Sequence, residues 1–180
     1  MNNTQVYIST NGYLLFSPYI GCCGIRMTTP TNILAALNMD IITSSGGDVF
    51  YRSINQSSSD LITIQSEINQ LLQTNFIAKN AFVVTYKSVQ AYSNRNDLAN
   101  FQIILSTDSI KSYVTLNYGS CFELSNYFPL SEINCLDKGS NLAKQLIVNP
   151  CNSSNVNIAG KWIYNITNEC KALDFNKSQI

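Results

Sequence analysis

The chain has 180 residues, of which 45% are hydrophobic and only 12% charged, with eleven basic residues balancing eleven acidic ones. That length carries one domain with a core of its own, and the balanced charge supplies no basic stripe for nucleic acid or anionic lipid. Histidine is absent altogether, which removes every imidazole base and every His-containing zinc site.

Residues 5 to 17 read as a strand-like opening, with an Asn11-Gly12 turn set before Tyr13, Leu14, Leu15 and Phe16. Residues 17 to 32, "SPYIGCCGIRMTTPTN", hold two prolines, two glycines and the adjacent Cys22 and Cys23, and read as a stapled loop. An apolar run, "ILAALNMDIITS", follows. "GGDVFYRS" then restarts as a strand, with Val49 and Tyr51 on the face opposite Phe50 and Arg52. Between residues 59 and 74 the period changes. Leu61, Ile64, Ile68, Leu71 and Leu72 recur at steps of three and four, the stripe of an amphipathic helix, and Ser58, Ser59 and Asp60 offer capping oxygens ahead of it.

From residue 81 the period is two again. "AFVVTYKSVQAY" reads as a strand and "SNRNDLAN" as a polar loop. In "NFQIILSTDSIKSYVTLNYGS", residues 100 to 120, Phe101, Ile103 and Leu105 alternate with more polar neighbours, and so do Val114, Leu116 and Tyr118. Thr107-Asp108-Ser109 supplies the turn of this hairpin. Residues 119 to 154 are less regular. "KWIYNI" is a last strand, and residues 171 to 180 read as a tail or the start of a linker. The sum is one α+β domain over residues 1 to 170, mainly an antiparallel sheet or sandwich, with one helix (about 59–74) packed on it and disulfide-stapled loops.

Six cysteines stand at Cys22, Cys23, Cys121, Cys135, Cys151 and Cys170. None of the spacings is CxxC, so disulfides in an oxidising compartment fit better than a metal knuckle. Fifteen pairings are open to six cysteines, and the sequence does not choose among them. Asn-x-Ser/Thr sequons at Asn55, Asn152, Asn165 and Asn176, and a further one at Asn2, permit glycosylation, although so much Asn, Ser and Thr produces sequons by chance. The N-terminus lacks the charged and apolar regions of a signal peptide, so an extracellular setting implies a fragment whose signal lies elsewhere. No run reaches the roughly 18 apolar residues of a membrane span.

Several residues invite a chemical reading. Asp108 beside Ser109 resembles part of a nucleophile set, but no imidazole is present to activate the serine, and an Asp there closes a turn through its own backbone. Asp40, Asp48 and Asp60 could offer oxygens to calcium, yet their spacing matches no calcium loop, so solvated or capping carboxylates are expected. Trp162, the only tryptophan, is expected in the core. The ten tyrosines could form an adhesive or glycan-binding face. No catalytic, cofactor or metal residue is assigned.

Several of these blocks, taken in order, resemble the nidogen-like (NIDO) domain of extracellular proteins such as nidogen, alpha-tectorin and membrane mucins. "NGYLLFS" is similar to that family's opening strand, and "ILAALNMD" followed by "GGDVFYRS" to its next two blocks. After the helix, "AFVVTYKSV" is similar to a further strand of the family. "NFQIILSTDSIKSYVTLNYGS" follows the family's "NTFQVVLATDGSRSFVIFNY" almost position for position, and "SNVNIAGKWIYN" follows its closing block. The resemblance spans residues 10 to 166. Departures include Ile42 where a second acidic residue is frequent, Tyr86 in place of a tryptophan and Ser109 in place of a turn glycine. It implies a noncatalytic extracellular module of a larger adhesive, matrix or cell-surface protein. Its expected partner is an extracellular protein or a neighbouring domain of the same chain, without cofactor, nucleic acid or membrane insertion by this segment. The alternatives are a lectin-like glycan-binding module and, less well supported, a hydrolase working through paired carboxylates.

Overall fold

The two strands of one hairpin show how the pattern becomes architecture. Phe101, Ile103 and Leu105 pair across to Tyr118, Leu116 and Val114, and all six are buried. A strand points alternate side chains to opposite faces, so this hairpin presents one apolar wall to the interior. The computed structural model describes residues 6–16, 33–122, 130–134 and 145–167. Its strands are β1 (Tyr7–Ser9), β2 (Tyr13–Leu15), β3 (Ile33–Asn38), β4 (Ile41–Ile42), β5 (Asp48–Ile54), β6 (Asn80–Ala91), β7 (Asn94–Thr107), β8 (Ser112–Ser120), β9 (Leu130–Asn134), β10 (Gln145–Ile147) and β11 (Lys161–Asn165). The helix α1 (Ser59–Leu72) lies between β5 and β6.

The described strands make two antiparallel sheets. One runs β1-β2-β3-β9-β10, and the other β11-β8-β7-β6-β4, with β5 paired to β6 beside β4. Leu14, Leu34 and Leu37 from the first sheet meet Val84, Tyr86, Phe101, Ile103 and Leu116 from the second in the main core, so the sheets form a sandwich. The expected α+β sandwich is what the chain adopts.

Two phenols stitch the sandwich together. Tyr86 Oη donates to the Ser9 carbonyl at 2.6 Å, and Tyr118 Oη donates to the Ala36 carbonyl at 2.8 Å. Tyr86 also stacks on Phe101 with ring centroids 4.4 Å apart. Burial, and then the neighbouring Tyr13, push the Tyr86 phenol well above its ordinary pKa, so it stays a neutral donor.

The helix covers the outer face of the second sheet. Leu61 and Ile68 are buried there with Ile54, Phe76, Val83, Ile104, Tyr113 and Ile163, and Ile64, Leu71 and Leu72 pack around them. The stripe expected from residues 59 to 74 is thus the packed face. Ser58 caps the helix by accepting from the Asp60 amide, and Gln73 closes it in the left-handed region at φ 51°. Lys161 of β11 forms an ion pair with Glu67, fixing the helix to the far strand.

One expected loop is a strand. Residues 93 to 100 read as polar loop, yet β7 begins at Asn94, and only Tyr92 and Ser93 turn the chain. Asn94, Arg95 and Asn96 are exposed, so this end of the β6–β7 ribbon lies in water and has no apolar face to reveal it. A shift in register between Gln90 and Ala91 further blurs the period.

Candidate functional site

The hairpin tip closes as a hydrogen-bonded turn. Asp108 Oδ1 accepts from the backbone amides of Ile110 and Lys111 at 2.8 and 2.5 Å, while Thr107 Oγ1 accepts from the Ser109 amide at 3.0 Å. The carboxylate is occupied by the local backbone, as an Asp in a turn is expected to be. Ser109 stands at φ 78°, a region that glycine enters without steric cost. Replacing Ser109 by glycine should therefore stabilise the fold by about 0.5–1 kcal/mol, read as a higher urea midpoint. An unchanged or lowered midpoint would show that the serine is not strained.

The three aspartates considered for calcium part company. Asp60 sits in the first turn of α1 and pairs with Arg52 Nη1 at 2.7 Å, on the surface. Asp48 opens β5, and Asp40 lies between β3 and β4. Among the described residues no group of three or more His, Cys, Asp or Glu side chains is placed to hold a metal ion.

Trp162 is half-buried. It packs at the margin of the sandwich core, stacks on Tyr164 with centroids 6.3 Å apart, and donates from Nε1 to the Pro150 carbonyl at 3.0 Å. Burial raises the Tyr164 phenol to about 12. Next to Pro150, Cys151 is disulfide-bonded to Cys121, so Trp162, Pro150 and this bond hold the segment after β10 against β8 and β11. Cys22, Cys23, Cys135 and Cys170 lie outside the described residues, as does Asn176. Asn55, Asn152 and Asn165 are all exposed.

The feature that sequence reasoning missed is an edge. Strand β5 pairs with residues 81 to 87 of β6 on one side only, and among the described residues no strand lies beyond it. It runs seven residues, and Phe50 and Tyr51 are 53% and 65% exposed. Tyr51 leans toward Phe82 with centroids 6.2 Å apart. Its sequence, Asp-Val-Phe-Tyr-Arg, has apolar residues on both faces, the mark of a strand with cover on each side. Periodicity counts faces, not neighbours along the sheet, so it cannot announce an edge.

Phe50 also opens a row across the outer face of the sheet. It aligns with Thr85, Gln102, Asn117 and Lys161 on successive strands. Gln102 Nε2 donates to Thr85 Oγ1 at 2.7 Å, and the Asn117 side-chain oxygen is buried without a hydrogen-bond partner. The surface beside the helix is thus amide- and hydroxyl-rich, ending in an exposed aromatic at β5. Such an arrangement can pair backbone to backbone and grip an aromatic or aliphatic side chain.

The model of the family described as "Nidogen-like domain" matches residues 4–123. Chicken (Gallus gallus) alpha-tectorin is 24% identical over 190 aligned positions, covering 89% of this chain and 9% of the tectorin. The chain thus spans about a tenth of the length of that relative. No solved structure matches.

Proposed function

The chain belongs to the nidogen-like domain family, and from that premise we propose that it is a noncatalytic extracellular module acting in protein–protein interaction. The exposed β5 edge carries this reading. Seven residues of strand with one side unpaired among the described residues, and with Phe50 and Tyr51 exposed on it, make a surface that a protein can extend. The setting is a larger adhesive, matrix or cell-surface protein, of which residues 1 to 170 form one domain. Exposure of Asn55, Asn152 and Asn165 supports glycosylation there, and the Cys121–Cys151 bond supports an oxidising compartment.

The test uses the 180-residue chain secreted from a eukaryotic cell, with glycan occupancy read from its mass before and after enzymatic deglycosylation. Binding is measured to a panel of purified extracellular proteins and, in parallel, to a glycan array. The expected result is saturable binding to a protein, weakened about tenfold or more by Tyr51→Asp, as for an aromatic anchor at an interface. Binding to the glycan array alone would make the module a lectin. Protein binding indifferent to Tyr51→Asp would remove β5 from the interface.

A further inference from the structure

We propose that strand β5 pairs with β5 of a second copy of this chain, antiparallel about a two-fold axis at Phe50. The inference rests on the interaction reading above and names the partner. A natural edge strand is ordinarily guarded against such pairing by charged side chains, proline, a bulge or a covering element. Strand β5 has no proline, and its register with β6 is unbroken. Its two charges have opposite sign and stand four residues apart, Asp48 and Arg52, with Val49, Phe50 and Tyr51 between them.

That arrangement is self-complementary. An antiparallel strand centred on Phe50 sets Asp48 against Arg52 of the second copy, twice, by symmetry. Val49 meets Tyr51 of the second copy, again twice, and the two Phe50 rings face each other. Each cross-strand pair is of a favourable kind: opposite charges, aliphatic on aromatic, aromatic on aromatic.

The charges beyond the strand extend the same logic. Asp48 lies opposite Lys87 on β6, and Arg52 is paired with Asp60 at the start of the helix. Across the two-fold axis this gives a line of alternating sign: Lys87, Asp48, then Arg52 and Asp60 of the second copy. Asp48, Phe50 and Arg52 share one face of the strand, the face on which the helix lies, so the line is continuous. A centre one residue later would face Asp48 with the buried Ile54 and lose both charge pairs.

Sedimentation velocity of the 180-residue chain over a concentration series tests this. The wild type should pass from monomer to dimer as concentration rises, in a salt-sensitive way. D48R and R52D should each weaken association at least tenfold, because each sets like charges together at two places. An equimolar mixture of the two variants should restore dimers, since the arginine introduced in one then meets the aspartate introduced in the other. Phe50→Lys, at an exposed position, should abolish the dimer and leave the urea midpoint unchanged when read at a concentration where the wild type is monomeric, which separates lost pairing from lost folding. A wild type monomeric throughout, a dimer indifferent to both charge reversals, or a mixture that fails to recover would each overturn the proposal. If the chain stays monomeric yet binds another extracellular protein through Tyr51, self-pairing falls and the interaction reading stands. Loss of both overturns both.

Discussion

Replacing Cys121 and Cys151 together by alanine should lower the unfolding free energy by roughly 3–4 kcal/mol, read as a shift in the urea midpoint. The bond joins residues 30 positions apart, and the loop it closes contains β9 and β10, which complete the first sheet. Cross-linking a loop of that length removes conformational freedom from the unfolded chain, and the alanines return it. Both cysteines also pack against the main core, so the variant loses some burial as well. The alternative outcome is concrete. A midpoint within a few tenths of a molar of the wild type would show that Trp162 and its hydrogen bond to Pro150 suffice to hold this segment.

Gly12→Ala should cost roughly 2–5 kcal/mol, the sum of a backbone and a packing penalty. Gly12 turns the β1–β2 hairpin at φ 83°, and a Cβ there would lie 2.0 Å from the Leu37 carbonyl oxygen. An L-residue in that region costs about 1–2 kcal/mol from its own backbone alone. Overpacking against a fixed backbone atom adds about 1–3 kcal/mol. The turn cannot simply retreat, because the Gly12 carbonyl accepts from the amides of Ala36 and Leu37, at 3.1 and 3.2 Å, and Asn11 Oδ1 accepts from the amide of Ile41. Moving Gly12 away would break the stitching between the hairpin and β3. Gly119→Ala is the control: its nearest contact would be an ordinary 3.6 Å from the Asn100 carbonyl, and its φ is not positive. Equal losses from the two variants would show that the Gly12 geometry is not what matters.

These two sites differ in how visible they were beforehand. The Asn-Gly pair before Tyr13 announces a turn, because few other dipeptides enter the left-handed region so easily. That its carbonyl would receive two amides from β3 is a long-range fact that no local pattern carries. The same division runs through the fold. The stripe of α1 was legible because the helix buries one face, and the hairpin of residues 100 to 120 because its larger apolar side chains alternate, although the helix covers its second face as well. Strand β7 before Asn100 was not, because water bathes it and polar residues suit a strand and a loop equally well there. Which strand neighbours which was also illegible: β3 pairs with β9, nearly a hundred residues later in the chain, through backbone groups common to every residue. The candidate site fell on the unreadable side for this reason. Phe50 and Tyr51 read only as opposite faces of a strand, and it is the sheet order that leaves them exposed.

The order of strands has a consequence for how the chain assembles. The second sheet is built mostly from consecutive hairpins, β6 to β7 to β8, whose contacts close short loops. The first sheet is different: β1, β2 and β3 come from the start of the chain, and their next neighbour is β9. Loop closure over that distance is slow compared with a hairpin. During synthesis, then, the β6–β8 meander can form while β3 still has one bare edge, waiting for residues 130 to 134 to emerge. The chain carries an unfinished, aggregation-exposed sheet from the synthesis of β3 until that of β9, and the Cys121–Cys151 crosslink can form only after the strand that finishes it has been made.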